Sequence, residues 1–82
     1  MIQGMESKQR VELVISLTKM RSEQQIEALL RYFVDGLNFS ACAELAGITE
    51  SNFQRAIDRI QAIDTTIEKI KELDWQRFKS QK

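Results

Sequence analysis

The stretch Phe39–Asp58, FSACAELAGITESNFQRAID, governs the architecture of this chain. Ala43 is small enough to let two helices cross closely. Gly47, four residues on, can take the positive φ that a sharp inter-helix turn needs. Ile48 follows as a buried plug, and Phe53, Ala56 and Ile57 give a second helix its inward face. A small residue, a glycine, an aliphatic residue and then apolar residues in this order make the spacing of a DNA-binding helix-turn-helix. The plain alternative is an αα corner with no role on DNA. It is less favoured because polar residues fill the intervening outward positions.

Asn38 is a good N-cap for the motif's first helix, expected at about 39–46 with Phe39, Cys42, Ala43 and Ala46 inward. Thr49 caps the second, which starts at Glu50 and carries Phe53, Ile57 and Ile60 inward. The apolar period then continues through Ile63, Ile67 and Ile70. Asp64-Thr65-Thr66 is a poor helix interior, and Thr65 with Glu68 forms a capping box. A break is therefore expected near Asp64, followed by a final helix over about 66–79. Its stripe is Ile67, Ile70, Leu73 or Asp74, and Phe78, with Trp75 beside it.

Toward the N-terminus, Ser22 and Gln25 form another capping box. It opens a helix over about 22–35 with Ile26, Leu29, Leu30, Phe33 and Val34 on one face; Gly36 follows its end. A first helix over about 7–19 turns Val11, Val14 and Leu17 inward. Residues 1–6 are expected to fray. The chain thus reads as one all-α helix-turn-helix domain, residues 1–82, of about five helices. The motif itself occupies about 38–60. The first and last helices carry more apolar surface than a core this small covers, so they are the expected surfaces of a homodimer or higher oligomer.

Composition agrees and excludes much. The 82 residues hold no proline and three glycines, with 43% hydrophobic content, which suits a helical globule. There is no histidine and one cysteine, so neither a metal site nor an internal disulfide is expected. Cys42 reads as a small buried hydrophobe. No apolar run is long enough to span a membrane, and MIQGMESKQR has no apolar signal core, so a cytoplasmic location is expected. The glycines form no phosphate loop, and Ser40, Thr49 and Ser51 sit at cap or solvent positions. No enzyme, cofactor or small-molecule ligand is expected.

On a helix-turn-helix, exposed positions at the start of the second helix enter the major groove. Here these are Thr49, Glu50, Ser51 and Asn52, then Gln54 and Arg55, then Asp58 and Arg59. Gln54 suits adenine and Arg55 suits guanine, each through two hydrogen bonds. Thr49 and Ser51 suit phosphate or a base edge. Glu50 suits cytosine N4, or merely the helix N-terminus. Phosphate contacts would come from Lys19, Arg21 and Arg31, with Arg77, Lys79 and Lys82 near the C-terminus. Twelve basic and twelve acidic residues give zero net charge. This weighs against a nucleic-acid partner unless the surface is polarised.

The run from Ile15 to Ile63 resembles the PapB-type regulators of bacterial adhesin (fimbrial) operons. The matching features are Ile15-Ser16, Ser22, Ala28-Leu29, Tyr32, Val34, Gly36, the helix with a cysteine, and Asn52-Phe53. Val34-Asp35-Gly36 and Gly47-Ile48-Thr49 also resemble the plasmid KorA/TrfB repressors, more weakly. The resemblance implies a helical transcription factor that binds operator DNA as a dimer or as adjacent protomers. It assigns reading roles to Ser51, Asn52, Gln54 and Arg55, with Phe53 in the core. The acids Glu50 and Asp58 flank that surface. The competing reading is a helical module that binds another regulator by mixed oligomerisation. The charge state of the Ser51–Arg59 face separates the two: arginines neutralised by neighbouring acids would favour the protein-binding module.

Overall fold

In a computed structural model, which describes residues 1–80, the chain forms four α-helices. They are α1 Lys8–Ser16, α2 Glu23–Phe33, α3 Phe39–Ala46 and α4 Glu50–Ser80. No strand occurs among the described residues. α2 packs against each of the other three helices.

Local chemistry sets the helix ends. Ser7, Ser22 and Asn38 each cap a helix by accepting a backbone N–H three residues on, from Arg10, Gln25 and Ala41. Gly47 ends α3 in the left-handed region at φ 72°, and its N–H donates to Glu44 C=O at 3.1 Å. The Thr49 hydroxyl accepts the Asn52 N–H at 3.0 Å, starting α4.

The core gathers one face from each helix. Val11, Val14 and Ile15 meet Ala28, Leu29 and Phe33, then Cys42, Ala43 and Ala46, and finally Phe53, Ala56, Ile57 and Ile60. Phe53 lies at its centre. It stacks on Phe39 with centroids 5.1 Å apart and meets Tyr32 edge-on at 5.8 Å. Ile48 packs on this core half-covered rather than as a fully buried plug.

Three further expectations need correction. The break near Asp64 is absent, and the two expected C-terminal helices are one helix of 31 residues. The Thr65 and Thr66 hydroxyls do not cap a new helix; they donate back to Gln61 and Ala62 C=O at 2.9 and 3.1 Å. Asp64 is 7% exposed and takes long-range partners instead. Its carboxylate accepts from Arg10 Nη2 at 2.6 Å and from the Met1 amino group at 2.8 Å. A local capping signal has lost to a tertiary ion pair.

Residues 1–6 do not fray. They form a strap along the end of α2. Gly4 N–H donates to Tyr32 C=O and Glu6 N–H to Phe33 C=O, both at 3.1 Å. Gly4 lies against Gly36 so closely that a Cβ on Gly4 would stand 3.0 Å from Gly36 Cα. The two glycines, far apart in sequence, allow this backbone crossing.

Finally, α1 stops at Ser16 rather than near residue 19, and Leu17 points outward at 65% exposure. Ile15 takes the inward place expected for Leu17. The Thr18 hydroxyl donates to Ile15 C=O and turns the chain toward α2.

Candidate nucleic-acid interface

The crossing of α3 and α4 buries Ala43, Ala46, Phe53, Ala56 and Ile57, which leaves one face of early α4 in solvent. Glu50, Ser51, Gln54, Arg55, Asp58 and Arg59 are all exposed there, as is Thr49 at the cap. Asn52 is half-buried, on the side facing α2.

The charges on this face decide its chemistry. Arg55 and Arg59 take part in none of the ion pairs, although Glu50 and Asp58 lie on the same helix face. Asp58 instead accepts from Gln54 Nε2 at 2.9 Å. Its charge is directed at an amide, and both guanidinium groups keep their donors available.

Lys19 and Arg21 lie far from α4 in sequence but not in space. They flank Met20 in the α1–α2 loop, and Met20 lines a small cleft with Gln25, Arg55, Ala56 and Arg59. Both cations are exposed and unpaired. The fold thus joins the loop Lys19–Arg21 to the Arg55–Arg59 face. On this surface the four cations Lys19, Arg21, Arg55 and Arg59 outnumber the acids Glu50 and Asp58, and four other acids are paired elsewhere. Asp64, Glu6 and Glu68 surround Arg10, and Glu27 holds Arg31 at 2.7 Å. Arg31 is therefore engaged within its own helix, where its hydrogen bond and charge contact with Glu27 raise its already high pKa. Lys79 lies over the Trp75 ring at 5.9 Å, at the far end of α4. Lys82 lies outside the described residues.

One member of the face is not legible in the sequence. The capping-box spacing marks Gln25 only as a capping residue, but its side-chain amide reaches across to donate to Asn52 Oδ1. This bond ties the start of α2 to the start of α4. One lone pair of the Asn52 carbonyl oxygen is taken by Gln25, which fixes the orientation of the amide; its second lone pair and its NH₂ group remain for a further partner. No spacing rule links residues 25 and 52, so no sequence signal could have shown this contact.

Other chemistry finds little here. Among the described residues, no group of His, Cys, Asp and Glu is placed to hold a metal ion. Every buried side-chain N or O atom among them has a hydrogen-bond partner. Cys42 is buried, its Sγ donating to Leu37 C=O at 3.4 Å, and burial pushes its thiol pKa up, away from the reactive thiolate. No described helix is long and apolar enough to cross a membrane.

A glycine-turned helix pair with an exposed basic face, carried on a four-helix core, defines a small all-α helix-turn-helix protein. The chain belongs to the PapB family, described as adhesin biosynthesis transcription regulatory proteins, whose family model matches residues 1–73. That match extends beyond the Ile15–Ile63 run that carries the resemblance in sequence. The crystal structure of E. coli FocB has the same fold: it aligns with a TM-score of 0.82 at 18% identity, covering 88% of this chain and 82% of FocB. A search of curated proteins gave no match.

Proposed function

We propose that this chain binds duplex DNA through early α4 and regulates transcription of an adhesin (fimbrial) operon by occupying its operator. The observation carrying this reading is the unpaired state of Arg55 and Arg59 on the outward face of a helix-turn-helix. Family membership supplies the regulatory role. In this reading α4 enters the major groove from Thr49 to Arg59. Arg55 reads guanine, Ser51 and Gln54 meet base edges or phosphate, and Asn52 donates from its tethered amide. Glu50 lies at the helix start, where its charge suits the helix dipole. Lys19, Arg21 and Arg59 bind flanking phosphates. The protein acts in the cytoplasm, as a homodimer or larger assembly, with no cofactor or catalytic step.

The test is fluorescence anisotropy on an upstream operon fragment and a scrambled control, across a salt series. Binding should prefer the operon fragment and weaken steeply with salt, with a slope that reports the phosphate contacts. Arg55→Ala should cost about 1–3 kcal/mol of specific binding and relax the sequence preference. An unchanged affinity would remove Arg55 from the reading surface. A folded protein that binds neither fragment at low salt would overturn DNA binding as its stand-alone activity.

A further inference from the structure

The far half of α4 carries apolar side chains that none of the described residues covers. Ile70, Leu73, Trp75 and Phe78 are all more than half exposed. Trp75 and Phe78 stack with centroids 6.1 Å apart. Beside the middle of the same helix, Leu13, Val14, Leu17 and Ile67 line an open groove of about 440 Å³ between α1 and α4. Knob and groove stand on one continuous helix. The eleven helical steps from Ile67 to Phe78 separate them by about 16 Å along its axis. One copy therefore cannot bring them together.

We infer that two copies of this chain pair through antiparallel α4 helices, with Phe78 of each seated in the Leu13–Leu17–Ile67 groove of the other. The inference rests on the self-association included in the function proposed above, and it names the surface. Ile67, Lys71, Asp74 and Phe78 recur at spacings of four, three and four, which places them on one side of the helix, as in a coiled-coil seam. Setting Ile67 opposite Phe78 of a second, antiparallel copy fixes the register. The same register sets Lys71 opposite Asp74, and Asp74 opposite Lys71. All four central charges then face an opposite charge. A parallel pairing would set Lys71 against Lys71 and Asp74 against Asp74. The charge order thus selects the antiparallel two-fold, a self-complementary arrangement of one patch on both copies. Lys71 is held only loosely at home, by Glu68 at 3.5 Å, and Asp74 takes part in no ion pair.

The seam lies partly beyond the matched family region, which ends at Leu73. Asp74 and Phe78, two of its four positions, are features of this chain outside that match. The pairing also leaves early α4 uncovered. It sets the two Ser51 residues about 65 Å apart along the shared axis, near two turns of B-DNA rather than one.

The experiment is sedimentation equilibrium of the full chain, with circular dichroism as the folding control. The wild type should form dimers. Trp75, the only tryptophan, lies beside the seam, so its emission should move to shorter wavelength as concentration rises. Lys71→Asp and Asp74→Lys, each alone, should weaken self-association by about tenfold or more, and the double swap should restore it. Phe78→Ser should weaken it at least as much as either charge variant. A wild type that stays monomeric, or dimers indifferent to Phe78→Ser and to the charge variants, would overturn the inference. Recovery in the double swap separates a true cross-pair from a change in helix propensity, which the second substitution would not repair. DNA binding is scored separately: Arg55→Ala should leave sedimentation unchanged, so failure at one surface is not mistaken for failure at the other.

Discussion

Between Glu50 and Asp64, α4 buries Phe53, Ala56, Ile57 and Ile60; between Thr65 and Lys79 it buries no side chain. The apolar spacing crosses this boundary without a change of period. Periodicity therefore tells which side of a helix is apolar, not whether anything covers it. Coverage comes from α1, α2 and α3; full burial ends at Asp64, where Arg10 and the strap close the core, and partial cover ends at Ile67. The near half is held by its own domain. The far half keeps its helix through backbone bonds and exposed side-chain contacts until another surface meets it.

Truncating one phenylalanine in each half puts this contrast under the greatest strain. Phe53 is 0% exposed and Phe78 is 61% exposed. Phe53→Ala should cost about 3–5 kcal/mol, a large share of the stability of so small a domain. Urea unfolding followed by circular dichroism would show a lower midpoint or no folded baseline at all. Phe78→Ala, measured at concentrations too low for self-association, should change the unfolding free energy by less than about 0.5 kcal/mol. Equal losses at the two positions would mean that the far half is covered within the monomer.

A smaller effect locates the boundary itself. Asp64 and Glu68 both accept from Arg10 Nη2, at 2.6 and 2.8 Å, but their side chains are 10% and 53% exposed. Asp64→Asn keeps the shape and removes the charge from a covered site that also holds the Met1 amino group. A loss of about 1–2 kcal/mol is expected in the same unfolding measurement. Glu68→Gln, made one turn outward on the same arginine, should cost less than about 0.5 kcal/mol. The opposite ranking would place the end of the core beyond Asp64.

These residues also show how much of the protein is legible in its sequence. The motif is legible almost to the residue because its signals are local. Asn38 caps α3 and Thr49 caps α4, and Gly47 takes the positive φ that only a glycine adopts easily. The exposed positions of early α4 come from the same geometry. Contacts made across the sequence are not legible. Thr65 and Glu68 look like a cap because nothing nearby reveals that Asp64 faces Arg10. Gly4 and Gly36 look isolated, yet they touch. Gln25 looks complete as part of a capping box, yet its amide goes to Asn52. In α1 the pattern fails differently: Val11, Leu13, Val14, Ile15 and Leu17 populate more than one face of a short helix. The inward side is then set by its packing partners rather than by period. For the candidate interface, sequence supplies the residues but not their charge state, because which arginines are already paired depends on the folded neighbours.

The smallest effect expected bears on the continuity of α4, and its sign matters more than its size. In one continuous helix Thr65 is an exposed interior position whose β-branched side chain restricts its own rotamers and whose hydroxyl bonds back to Gln61 C=O. Thr65→Ala should then stabilise the protein by a few tenths of a kcal/mol, the difference in helix propensity. If residues 64–66 instead formed a break with Thr65 as the N-cap of a separate helix, the same change would remove a cap and cost about 1 kcal/mol. Unfolding curves of Thr65→Ala and Thr66→Ala beside the wild type distinguish the two by direction alone. A gain would show residues 64–66 to be helix interior, so that the near and far halves of α4 form one helix and the proposed surfaces at Arg55 and Phe78 are held in one frame. A loss would put a joint between them and uncouple the two surfaces.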